Sequence, residues 1–232
     1  MRKVFLILLV AAPLVAAVDF TLKKATDLKL PTFDESGRLL RRLTSDSVAG
    51  SFQTPHLEKG QVEFFAPESK DQAVAVLNFE QADYTAAEEK ISGDGAIQLV
   101  TPDGAVSGQG YVCLVKLGQL NLRTKVKFVS ARFELTGDQG EVRFDPKEHD
   151  RDRLIRDLLV TGAVTLKRTA TTKAPFDRAE TNSARYSAEQ RKIFMKTPVT
   201  LWNKGQKTPV DSSLEFFEFD VLDQPPPAPA PR

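Results

Sequence analysis

Ala82-Asp83-Tyr84-Thr85-Ala86, then Lys90-Ile91, then Ile97-Gln98-Leu99: this spaced set returns 102 positions later as Ala184-Arg185-Tyr186-Ser187-Ala188, Lys192-Ile193 and Val199-Thr200-Leu201. Ala, Tyr, Ala, Lys, Ile and Leu recur at identical offsets, and Thr/Ser and Ile/Val exchange conservatively. Each copy reads as a strand with an aromatic residue, a charged tight connection and an apolar alternating run. No short catalytic motif has this form. A repeated hairpin unit implies a long all-β chain assembled from similar stacked layers.

Outward from the repeat, strand signals dominate and helical periodicity is scarce. Leu28 to Phe33 is a first strand, ended by the turn Asp34-Glu35-Ser36-Gly37. Arg38 to Asp46 and Gln61 to Phe65 follow, and Ala73 to Glu80 is apolar on both faces, as in a strand covered on both sides. Thr101-Pro102-Asp103-Gly104 and Leu117-Gly118 are turns that bracket the next strand. Leu120, Leu122, Thr124, Val126 and Phe128 alternate with Asn121, Arg123, Lys125 and Lys127, giving one apolar face and one wet, basic face. Ala131, Phe133 and Leu135 continue that pattern. Val160, Gly162, Val164 and Leu166 restore period two further on, and Leu214 to Leu222 is a last strand with Phe217, Phe219 and Val221 on one face.

One segment departs from this. Asp145 to Leu159 is densely charged, with Leu154, Ile155, Leu158 and Leu159 at helical spacing. It fits either a short helix near 147–158 or an exposed loop leading into a strand. Short strands separated by turn signals indicate a sandwich, barrel or jelly roll. No Gly/Ser linker marks a division near 137–150, which favours one continuous structure.

The ends are different in kind. Arg2 and Lys3, the apolar run Val4 to Leu14 and the small residues Val15-Ala16-Ala17 have the layout of a secretory signal peptide over 1–17. The run is short for a membrane-spanning helix, which needs roughly 20 residues, so export to the periplasm is expected, with an inner-membrane anchor as the other reading. The tail 223–232, Asp223-Gln224 followed by Pro225-Pro226-Pro227-Ala228-Pro229-Ala230-Pro231-Arg232, favours extended polyproline-like coil. A single cysteine, Cys113, allows no internal disulfide, and its neighbours Tyr111, Val112, Leu114 and Val115 suggest a buried thiol. Without residues 1–17 the chain carries 30 basic and 31 acidic side chains. So balanced a charge argues against nucleic acid as a partner.

Enzyme signatures are missing. His56 and His149 have no second His or Cys at metal-ligand spacing and read as solvated side chains, His56 in a loop after Pro55. There is no nucleophile elbow, phosphate loop or dinucleotide fingerprint. Gly93-Asp94-Gly95 and Gly108-Gln109-Gly110 fit turns and bulges. A carboxylate pair such as Asp94 and Asp103 has nothing to raise it above surface charge. The expectation is a binding or scaffold protein with no catalytic residue, no cofactor and no metal.

Taken together, these features resemble the LptC / LptA / OstA-N superfamily of periplasmic lipopolysaccharide-transport proteins. Units of the form A-x-Y … I-x-x-x-G-x-V-x-L recur in that family. Ala82 to Leu99 and Ala184 to Leu201 are similar to them, and Leu159-Val160-Thr161-Gly162-Ala163-Val164-Thr165-Leu166 looks like a further G-x-V-x-L half. Pro31-Thr32-Phe33-Asp34-Glu35-Ser36-Gly37-Arg38-Leu39 resembles the opening hairpin of LptC-type proteins, and Thr101 to Gly104 with Gly108 to Tyr111 their D-G … G-x-G connection. Thr197-Pro198 stands where the family usually has Gly-Asn.

The resemblance implies an open, twisted β-jellyroll of many antiparallel strands over 18–222, whose apolar interior receives the acyl chains of lipid A. Implied partners are lipopolysaccharide, other jellyroll proteins of the pathway and the inner-membrane ABC transporter. Candidate groove-lining residues are those on the apolar parity: Ile97, Leu99, Leu120, Leu122, Val126, Phe128, Phe133, Val164, Ile193, Val199 and Leu201. Strand edges for partner pairing are expected at Leu28, Leu30 and Phe33 and at Phe217 and Phe219, with Phe216 beside them. Arg123, Lys125 and Lys127 would meet lipid phosphates only at a groove rim, and alternation puts them on the outer face. The competing expectation is a cell-envelope scaffold of the same fold with no lipid cargo.

Overall fold

The computed structural model describes residues 21–51, 53–66, 72–145, 154–169 and 176–221. The expected leader 1–17, His149 and the proline tail 223–232 lie outside them. The chain is all-β: β1 (Thr21–Phe33), β2 (Leu39–Ser51), β3 (Pro55–Phe65), β4 (Ala73–Thr85), β5 (Lys90–Thr101), β6 (Gly104–Leu114), β7 (Gln119–Val129) and β8 (Phe133–Gly137). There follow β9 (Gln139–Phe144), β10 (Ile155–Arg168), β11 (Arg178–Ser187), β12 (Lys192–Lys196), β13 (Thr200–Asn203), β14 (Gln206–Pro209) and β15 (Phe216–Asp220). One 3-10 turn, Val115–Leu117, connects β6 to β7.

All fifteen strands form one antiparallel sheet, with a hydrogen-bonded path β1-β2-β3-β4-β5-β6-β7-β8-β10-β11-β12-β15. Several short strands are halves of interrupted long ones. β8 and β9 both pair with β7 on one side and β10 on the other. β12 and β13 both pair with β11, and in turn take β15 and β14. The ribbon is therefore a meander, continuous through 137–145, in which nearly every rung bonds to its neighbour in sequence.

The ribbon also bends. Registers slip in mid-strand, between Phe79 and Asp83 in the β4–β5 pair, Ser107 and Gln109 in β6–β7, and Thr161 and Val164 in β10–β11. Across such slips the buried parity changes, from Phe79 to Ala82 on β4 and from Thr181 to Ala184 on β11. A bulge re-aims the chain, so both halves of a bent rung keep their apolar residues toward one interior. Contacts then close across the sandwich between strands that share no hydrogen bonds. Phe64 of β3 meets Phe144 of β9 edge-on at 5.2 Å, and Phe128 of β7 lies 5.5 Å from Tyr186 of β11. The result is an open, jellyroll-like fold with a single core.

The two sequence repeats are the same local structure. In each, the Tyr sits opposite the Ile, Tyr84 against Ile91 and Tyr186 against Ile193. Each four-residue connection ends on a residue in the left-handed region, Glu89 at φ 47° and Arg191 at φ 54°. The carbonyls of these two residues accept equivalent bonds from the chain further on, Val115 N–H at 3.0 Å and Val221 N–H at 2.9 Å.

One alternative is decided and two expectations are corrected. Of the two readings of 145–159, Ile155 to Leu159 belong to the strand β10 and not to a helix, and the described residues contain no α-helix; 146–153 lie outside them. Ala131 does not extend β7: the chain turns at Ser130–Arg132, where the Ser130 hydroxyl accepts bonds from the N–H groups of Arg132 and Phe133. His56 is on β3, with Nδ1 2.9 Å from Asp83 Oδ1 on β4, rather than in a loop.

The β1–β2 turn forms as expected, and Asp34 organises it. Its Oδ1 accepts from Ser36 N–H, Ser36 Oγ and Arg38 N–H, and its Oδ2 from Arg38 Nε. These bonds hold its carboxyl well below the ordinary value of 3.8. With a lowered folded pKa, the contribution to stability is complete above 3.8 and fades as pH falls toward the folded value. Asp34→Asn is therefore expected to flatten the acid limb of the stability curve below about pH 4, read as urea midpoints at successive pH values. An unchanged acid limb would show that the turn does not depend on the charge.

Candidate functional site

The apolar parity read from the sequence points inward. Ile97, Leu99, Leu120, Leu122, Val126, Phe128, Phe133, Val164, Ile193 and Val199 are each at most 3 % exposed. Leu201, on β13 near one end, is only half-buried and packs against the same core. In mid-ribbon the interior is closed by its own side chains. Leu122, for example, lies against the Gly108 backbone so closely that a Cβ there would be 3.1 Å from its methyl groups. The aromatic rings of Phe128, Phe133 and Tyr186 pack on one another at 5.3–5.8 Å.

Coverage thins toward the margins. Leu28 and Leu30 on β1 and Phe217 and Phe219 on β15 are half-buried against the core, while Phe33 and Phe216 are 55 % and 44 % exposed. Phe176 supports β15 with edge-on contacts to Phe217 at 6.0 Å and Phe219 at 5.2 Å. β1 bonds only to β2, and β15 only to β12, among the described residues. The outer N–H and C=O groups of these two strands, and those of β14, which bonds only to β13, have no strand partner among the described residues. Val221, read in the sequence on the face of Phe217 and Phe219, is half-buried against the same core, and so is Val210, which lies in no alternating run and went unnoticed.

The three basic residues of β7 face outward. Arg123 pairs with Asp94 at 2.9 Å and Lys127 with Glu134 at 2.8 Å. Lys125, at φ 56°, borders a shallow depression of about 440 Å³ with Asn78, Gln98 and Gln109, and the core residues Phe79 and Ile97 are among its lining. Gly93 and Gly108 sit beside mid-strand slips, as their spacing suggested. Gly93 also admits the Tyr111 ring: a Cβ there would approach Tyr111 Oη to 2.9 Å, and that hydroxyl donates to Gln81 O at 2.7 Å. Cys113 is fully buried, and burial pushes its thiol up to about 12, which leaves it inert as a nucleophile.

No family model matches the chain, and no curated protein matches it. The functional reading therefore rests on the ribbon itself: an apolar interior and edge strands, β1 and β15, that carry its half-buried residues.

Proposed function

We propose that this chain is a periplasmic lipopolysaccharide-binding component of the lipopolysaccharide export pathway, receiving lipid from an inner-membrane ABC transporter and passing it toward the outer membrane. The observation that carries the reading is the continuity of the apolar interior out to the edge strands β1 and β15, where its residues become half-exposed. Each acyl methylene taken from water contributes about 0.8 kcal/mol, so a few chains suffice for binding. Strand addition at β1 or β15 would join the interior to that of a neighbouring jellyroll. Binding alone gives no direction; the transporter would supply it.

The filled middle sets the mechanism. Acyl chains would enter at the half-covered ends, beside Leu28, Leu201 and Phe219, and reach Leu122 or Phe128 only if the two sheet arms part. Photocrosslinking in cells tests this. A photoreactive residue at Leu201 or Phe219 is expected to capture lipopolysaccharide, and one at exposed Lys127 is not. No lipid adduct at any inward position would overturn the reading. The same closed packing favours a second reading, an envelope scaffold without lipid cargo. In that case Phe33 and Phe219 would crosslink to protein alone.

A further inference from the structure

A slit opens where turns from the two arms meet. The β5–β6 turn brings Pro102 and Asp103, the β7–β8 turn brings Ser130 to Arg132, and the second repeat brings Tyr186 and Arg191. They enclose a cavity of about 280 Å³, with Phe133 and Tyr186 of the aromatic cluster among its walls.

The arginines of the slit differ from most of those on the sheet. Arg38, Arg41, Arg42, Arg123, Arg156 and Arg185 each pair with an Asp or Glu. Arg132 and Arg191 form no ion pair among the described residues. Arg132 uses Nη1 to donate to Val221 O at 2.8 Å, leaving its other donors available, and Arg191 is exposed at the rim. Asp103 is the one carboxylate of the slit wall. It is committed to the fold, accepting from Thr101 Oγ1 and, at 3.1 Å, from Ile155 N–H. Two guanidinium groups against one engaged carboxylate leave a net positive charge over an aromatic floor.

We propose that this slit binds an oxyanion carried on an apolar body, an alkyl or acyl phosphate, with Arg132 and Arg191 holding the oxygens and Phe133 and Tyr186 receiving the first carbons. Guanidinium forks match phosphate geometry and keep their charge at every physiological pH. The volume is just below the range of about 300–1,000 Å³ typical of small-molecule sites, which suits a headgroup and a short stretch of chain rather than a whole lipid. The inference goes beyond the export reading and does not depend on it, since any anionic amphiphile has this chemistry.

Titration calorimetry on the full chain tests it with dodecyl phosphate below its micelle concentration, inorganic phosphate and dodecyl maltoside. Dodecyl phosphate is expected to bind one to one, and Arg191→Gln and Arg132→Gln to weaken it about tenfold each, as for lost charged hydrogen bonds. The Arg191 side chain forms no hydrogen bond or ion pair among the described residues, and its backbone bond from Val221 N–H survives substitution, so its variant reads binding free of folding effects; circular dichroism and a melting curve check Arg132→Gln. Inorganic phosphate is expected to compete only weakly. Competition as strong as that of dodecyl phosphate would mean a free-phosphate site and overturn the apolar half of the proposal. Equal binding of dodecyl maltoside, or undiminished affinity in Arg191→Gln, would overturn the oxyanion half. Lipopolysaccharide crosslinking at Leu201 is a separate readout, so either idea can fail alone.

Discussion

Phe128→Ala is expected to destabilise the chain by about 3–5 kcal/mol, the range for deleting a buried phenyl ring. Phe128 is 1 % exposed and touches Phe133 edge-on at 5.3 Å and Tyr186 at 5.5 Å. It therefore ties β7 both to the next rung and across the sandwich to β11. Its loss removes apolar burial, leaves a cavity between the arms and forfeits two ring contacts worth about 0.5–1.5 kcal/mol each. Typical whole-domain stability is about 5–15 kcal/mol, so the variant should sit near the limit of folding. Urea denaturation gives the number. Phe33→Ala, at a site 55 % exposed, is the control and should stay within about 0.5 kcal/mol. Similar losses at both positions would mean that the arms do not pack as described.

The second large effect comes from Gly118. This residue follows the 3-10 turn at φ 61°, in the left-handed region. Its carbonyl accepts from Phe144 N–H at 2.8 Å, which fastens the β6–β7 connection to the end of β9. A Cβ at Gly118 would collide with the Phe144 carbonyl oxygen. Gly118→Ala therefore combines left-handed strain of about 1–2 kcal/mol with forced displacement of about 1–3 kcal/mol. Gly37→Ala separates the two. Gly37 has φ 79° but nothing within 4 Å of an added Cβ, so it carries the strain alone. Thermal unfolding should show Gly118→Ala as clearly the worse of the pair; equal shifts would remove the collision from the account.

These positions also show where the sequence was informative. The repeat was legible because its two copies share a tyrosine-to-isoleucine pairing and a left-handed residue at the same offset, features that local sequence controls. The apolar parity of β7 was legible for Leu120, Leu122, Val126 and Phe128, but not at Thr124, which is exposed because Lys125 adopts φ 56° and interrupts the alternation. Ile155 and Leu158 mimicked a helix for a definite reason. β10 slips register between Ile155 and Asp157, which places buried residues three apart inside a strand. β1 starts at Thr21, earlier than Leu28, because residues such as Lys23, Lys24 and Asp27 on an edge strand give no apolar alternation to read. The slit was invisible for another reason. Asp103, Arg132 and Arg191 come from three separate turns, and only the folding of the ribbon onto itself brings them to one cavity.

Because nearly every rung bonds to the one before it in the chain, the molecule need never search for a distant partner to begin. A hairpin made early offers an open margin, and each later segment has only to lie down beside it, at the small entropic cost of closing a short connection. Construction of this kind, like that of stacked repeats, can start at several places and grow outward. The contacts over the sandwich, such as Phe64 with Phe144, would then lock last, once both leaves exist to be pressed together.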